Sequence, residues 1–189
     1  MNPVIRSVGI GVVLAASVSI ASATDHPQDA LKLILKQNTA TGKAKAVWLS
    51  KAPPIALPAQ PPTSVGGAFV VTGTDESAST LLPAADWKTN AAGTLYKFVN
   101  AAAPGGSSKA KVALVKKDKV LKVVAKDSLI QLNDLTQGTV TVVLTIGTDT
   151  YCSVCTTPLK DEPGKYIAKG CSAPESTCSE PLPSGGSTA

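Results

Sequence analysis

Four cysteines, one histidine and a dense group of lysines are the residues whose types and spacing bear on chemistry. Cys152-Ser-Val-Cys155 is the sharpest motif, and three chemistries use that spacing. A thioredoxin-type site needs its first cysteine at a helix N-terminus, where the thiol pKa falls. Here strand-like residues precede Cys152, Thr156-Thr-Pro158 follows Cys155, and no βαβ pattern surrounds them. Haem attachment would need histidine at position 156, which holds Thr156. A four-thiolate zinc or iron–sulfur site has enough sulfurs, but Cys171 and Cys178 lack knuckle spacing. Structural disulfides are the expectation, and no metal or cofactor is assigned. A cysteine-based redox or metal-binding protein is the alternative, and it requires free or metal-bound thiols. If 152–155 is extended, its two cysteines point to opposite faces and bond more naturally to later cysteines than to each other. Nested and crossed pairings both satisfy that condition.

Hydrolytic chemistry finds no assembled set. His26 lies in a polar lead-in, Thr24 to Ala30, and reads as an exposed terminal residue, so Ser-His-Asp and Cys-His arrangements lack a base. Asp75, Glu76, Asp86, Asp134, Asp149, Asp161 and Glu162 could pair for glycoside cleavage, but most sit in turn contexts where a solvated carboxylate is ordinary. The Gly-rich segments lack phosphate-loop spacing. No catalytic residue is assigned, and the chain reads as a non-enzyme.

Lysine is the other candidate chemistry. Lys109, Lys111, Lys117, Lys119 and Lys122, with Lys116 and Lys126 beside them, crowd one predicted hairpin and form a candidate anion-binding strip for an acidic glycan or surface. The plain reading of such a strip is a solvated sheet face whose charges discourage edge-to-edge association. The formal charge is +5, yet Arg6 is the only arginine. Without a guanidinium fork, bidentate readout of phosphates or guanine edges is absent, and specific nucleic-acid binding is not expected. Trp48, Trp87, Tyr96, Phe98 and Tyr151 would suit a sugar platform, but aromatics are 4% of the chain and the core has first claim on them.

These residues need elements to position them. Arg6, the uncharged apolar run Val8 to Ile20 and Ala21-Ser22-Ala23 have the three parts of an export signal, with cleavage expected before Thr24. The run is shorter than the roughly 20 apolar residues of a membrane span, so no transmembrane helix is expected after cleavage. The expected product is periplasmic or extracellular, where disulfides persist. Residues 24–180 form one expected domain and 181–189 a flexible tail.

Period-two alternation dominates the domain. Leu31, Leu33 and Leu35 alternate with Lys32 and Lys36; Lys45 to Ser50 sets Val47 and Leu49 against Trp48. Prolines from Pro53 to Pro62 indicate an extended crossover or edge segment, with a change of sheet expected here. Val65 to Thr72 is a strand whose paired glycines signal a bulge or close backbone approach, and Ser79 to Leu82 and Thr94 to Val99 are further strands. Lys109 to Val115 and Val120 to Lys126 make the lysine hairpin, with Lys111 on one face and Val112 and Leu114 on the other. Ser128 to Leu135 fits a strand or a helical turn. Thr139 to Ile146, β-branched and apolar on both faces, suits a central strand covered on each side. Past Tyr151 the chain reads as loop-rich, with a turn at Lys160 to Gly164. The expected fold is all-β, an antiparallel β-sandwich of immunoglobulin-like or jelly-roll-like type.

The order Trp87-Lys88, Tyr96-Lys97-Phe98, lysine-rich hairpin, Tyr151-Cys152, Lys160-Asp-Glu-Pro-Gly164 and a closing cysteine resembles a set of exported bacterial β-rich modules with no established activity. The resemblance implies equivalents for Cys152 and Cys178, which leaves Cys155 and Cys171 to pair with each other and pins the C-terminal loop to the sheet. The expected function is therefore that of an exported structural or interaction domain, with an acidic-polymer binding module as the alternative.

Overall fold

The computed structural model describes residues 23–178 except 75, 107, 128–131, 133–135 and 176. The expected export signal, the tail and most of 128–135 fall outside the described residues.

In chain order the strands are β1 (Thr24–Pro27), β2 (Ala30–Gln37), β3 (Ala44–Ser50), β4 (Gly67–Thr72), β5 (Ser77–Leu82), β6 (Trp87–Thr89) and β7 (Leu95–Val99). They continue with β8 (Ala110–Lys116), β9 (Val120–Lys126), β10 (Val140–Ile146), β11 (Asp149–Cys155), β12 (Lys160–Glu162) and β13 (Lys165–Cys171). Two sheets result. One has five strands in the order β1-β11-β10-β4-β5, and the other has eight in the order β12-β13-β2-β3-β9-β8-β7-β6. Pairing is antiparallel throughout except for β1 on β11. The proline-rich stretch after β3 does change sheets, carrying the chain from the eight-stranded to the five-stranded layer.

Alternation explains the layers. Leu33, Leu35, Ala46, Trp48, Ala113, Val115, Leu121, Val123, Tyr166 and Ala168 are buried on the inner face of the larger sheet. Phe69, Val71, Val140, Val142, Leu144, Ile146 and Tyr151 oppose them from the smaller sheet. Trp48 stacks on Phe69 across the interior with ring centroids 6.0 Å apart, and Trp87 meets Phe98 edge-on at 5.6 Å.

Several expectations are corrected. The polar lead-in is strand β1, because its backbone finds a parallel partner in Asp149–Cys152. The region past Tyr151 is strand-rich, with β12 and β13 forming a hairpin that extends the larger sheet. A register shift between Ala110 and Val112 puts Ala113 and Val115 inside and Val112 and Leu114 outside, reversing the expected phase of β8. Leu31 is exposed rather than aligned with Leu33 and Leu35. β10 is central, but Thr141, Val143 and Thr145 on its outer face are only half-buried. Pro62–Val65, where the strand was expected to begin, is one helical turn, α1.

Candidate anion-binding face

The cysteines settle into two disulfides, Cys152–Cys178 and Cys155–Cys171. Three positions apart on an extended strand, Cys152 and Cys155 face opposite ways. Cys155 points inward and ties β11 of one sheet to β13 of the other, while Cys152 takes Cys178 on the outer side. Paired backbone hydrogen bonds between Val154 and Ser172 close the same corner. The two cysteines of the C-x-x-C motif therefore serve different bridges, and no cysteine among the described residues is free.

His26 is not an exposed terminal residue. Its Nε2 lies 2.9 Å from Asp149 Oδ1, its ring stacks on Tyr151 at 4.8 Å, and Asp149 Oδ2 accepts the Ala59 N–H at 2.9 Å. β1 places His26 there by pairing it with Tyr151. Asp149, 2% exposed, thus joins the N-terminal strand to the crossover. Burial, reinforced by the Asp149 charge, pushes the Tyr151 hydroxyl pKa far up, and that hydroxyl donates to Ala56 O. Asp161 accepts the backbone N–H groups of Gln137 and Gly138. Asp86 ends a 3-10 turn, and Glu76 and Glu162 are exposed. Asp75 and Asp134 fall outside the described residues. Trp48, Trp87, Phe98 and Tyr151 are buried, so they present no sugar platform.

Register turns scattered lysines into rows. On the outer face of the larger sheet Lys165 of β13 stands opposite Lys36 of β2, Lys36 opposite Lys45 of β3, and Lys45 opposite Lys126 of β9. Two residues along, Ile167, Ile34, Val47, Val124, Val112 and Val99 form an aliphatic row. Two further on, Lys169, Lys32, Leu49, Lys122, Leu114, Lys97 and Lys88 form a row of five lysines interrupted by two leucines. Every strand of this sheet carries lysine, and only β12 carries acid. The five strands of the other sheet carry no lysine. Among the described residues the lysine ion pairs are those of Lys160 and Lys165 with Glu162, at 3.5 and 3.9 Å.

Two depressions border the four-lysine row. One of about 510 Å³ is lined by Lys36, Lys43, Lys45 and Lys165, and an adjoining one of about 410 Å³ by Lys43, Lys45, Lys126 and Asp127. The hairpin candidates divide among different places. Lys122 joins the mixed row, Lys117 and Lys119 occupy the β8–β9 turn, and Lys109 and Lys111 sit around the β8 register shift. Lys36, Lys45 and Lys165 were not anticipated as site residues. Their only one-dimensional sign is that each falls on the polar phase of a strand. No protein-family model, curated protein or solved structure matches this chain.

Proposed function

We propose that this chain is an exported, non-catalytic interaction domain that docks on an acidic polymer or surface through the outer face of its eight-stranded sheet. The carrying observation is the segregation of charge: lysine on every strand of one sheet and on none of the other. Lysines retained only for solubility work equally well on both faces, mixed with acids, whereas a single-sign face steers oppositely charged partners. The other outer face uses neutral hydroxyls, such as Thr141, Thr145, Ser77 and Ser79, to meet water. Export is supported by the tripartite N-terminal pattern and by two buried disulfides, which suit an oxidising compartment.

The test is retention of the exported protein on immobilised polygalacturonate. Binding at low salt, release as salt rises and loss in Lys36→Glu/Lys45→Glu are expected, because exposed charges are screened within about 10 Å at 0.1 M salt. Passage through the column at low salt, together with no binding to polyphosphate or to anionic phospholipid vesicles, would refute the proposal.

A further inference from the structure

Resting on that docking face, the geometry points to one class of occupant: a linear polymer of uronic acids lying across the strands, in the trough lined by Lys165, Lys36, Lys43, Lys45 and Lys126. Consecutive strands are about 4.8 Å apart, so the four-lysine row offers one cation per strand over about 14 Å. A polyuronate carries one carboxylate per sugar ring, a repeat of the same order as that spacing. The two depressions share Lys43 and Lys45, and together they follow the row from Gly164 at one end to Asp127 and Pro104 at the other.

The trough chemistry selects a saccharide over other polyanions. Lysine ammonium groups are point charges and Arg6 is the only arginine of the chain, so neither carboxylate nor phosphate is gripped bidentately, and the match between charge spacing and strand spacing favours the uronate polymer over a denser polyphosphate. Asp127 at one end repels a dense polyanion but accepts a hydrogen bond from a sugar hydroxyl. Lys36, Lys45 and Lys126 are exposed and, among the described residues, form no ion pair, so they meet a ligand without first breaking a bridge. A bilayer is the poorer fit. Membrane-seated surfaces use interfacial Trp and Tyr, and here Trp48 and Trp87 are buried while the aliphatic row is made of short β-branched side chains, mostly half-buried. Among the described residues single-stranded nucleic acid finds no exposed aromatic platform to stack on.

The experiment titrates the exported protein with fluorescent oligogalacturonates of increasing length, with polyphosphate of matched charge and anionic phospholipid vesicles in parallel. Affinity is expected to rise at least tenfold as the oligomer grows to about four or five sugars, the length that spans four strands, and then to level off. Lys36→Glu/Lys45→Glu is expected to lose at least tenfold, with Lys36→Gln/Lys45→Gln intermediate. Lys117→Glu/Lys119→Glu, at the opposite end of β9, should change affinity less than twofold, and circular dichroism reports whether each variant is folded. A length-independent response, equal or tighter binding of polyphosphate, or equal loss in the turn variant overturns the polyuronate inference while the broader docking face stands. Binding to vesicles but to no oligosaccharide overturns it too. Failure of every polyanion removes both readings.

Discussion

Tyr166 and Tyr151 show how buried hydroxyls tie elements together, the first joining β13 to the end of β11 and the second joining β11 to the proline-rich crossover. Tyr166 donates to Cys155 O at 2.9 Å, and burial, reinforced by the Asp161 charge, raises its pKa well above the ordinary value. Both phenols therefore stay protonated in the fold above about pH 10, where an unfolded tyrosine ionises. Above that pH the unfolded chain binds fewer protons than the native one, so stability falls as pH rises; below it these groups contribute no pH dependence. Denaturant midpoints from pH 8 to 11 should fall more steeply for the native chain than for Tyr166→Phe, which carries the same lysines. Parallel curves would show that Tyr166 is not held protonated. A second interior link is Trp48 Nε1 donating to Ser153 Oγ at 3.2 Å, with Ser153 Oγ donating in turn to Gln28 O at 2.6 Å. Ser153→Ala strands a buried indole N–H, and a loss of about 1–3 kcal/mol is expected in urea denaturation.

Elements depend on partners far along the chain, and two of them can be tested directly. The Cys155–Cys171 bridge joins β11 to β13 across the sandwich, closing a sequence separation of 16 residues. Chain entropy alone gives such a loop about 3 kcal/mol, so Cys155→Ala/Cys171→Ala should lower stability by that order while Cys152–Cys178 remains intact by mass. Free thiols in the denatured, unreduced native protein would contradict both bridges. Gly67 begins β4 where it faces Ile146 of β10, and a Cβ there would lie 2.5 Å from Thr145 O. Gly67→Ala should therefore cost about 1–3 kcal/mol, as overpacking does, read from the thermal midpoint. The paired glycines were legible as a close backbone approach, and the alternation around Trp48 and Val123 was legible as strand, because burial on one face imposes a period of two. β1 was not legible: Thr24-Asp-His-Pro27 has no apolar phase, and only distant β11 makes it a strand. β13 does carry a phase in Tyr166 and Ala168, but lysines and glycine around them disguise it. The four-lysine row was invisible for a similar reason. Its members lie on four strands, and the register that aligns them exists only in the folded sheet.

At the scale of the molecule, charge segregation sets stability against binding. Lys45 stands directly opposite Lys36 on one side and Lys126 on the other, and like charges so placed destabilise a sheet by about 0.2–1 kcal/mol per pair. Lys45→Glu turns both repulsions into attractions. The variant is expected to gain about 1 kcal/mol at low salt, a gain that shrinks as salt screens exposed charge. A face kept only for solubility would make this substitution harmless. A docking face makes it a more stable protein that binds its ligand more weakly. The same logic acts in reverse on the native chain, since an anion that binds only the folded face raises stability by about 2.7 kcal/mol at one hundred times its dissociation constant. Thermal midpoints with and without polygalacturonate, for the native chain and for Lys45→Glu, decide the matter. The native midpoint should rise with ligand, while the variant should start higher and rise less. If both rise equally, the row is not where the polymer sits.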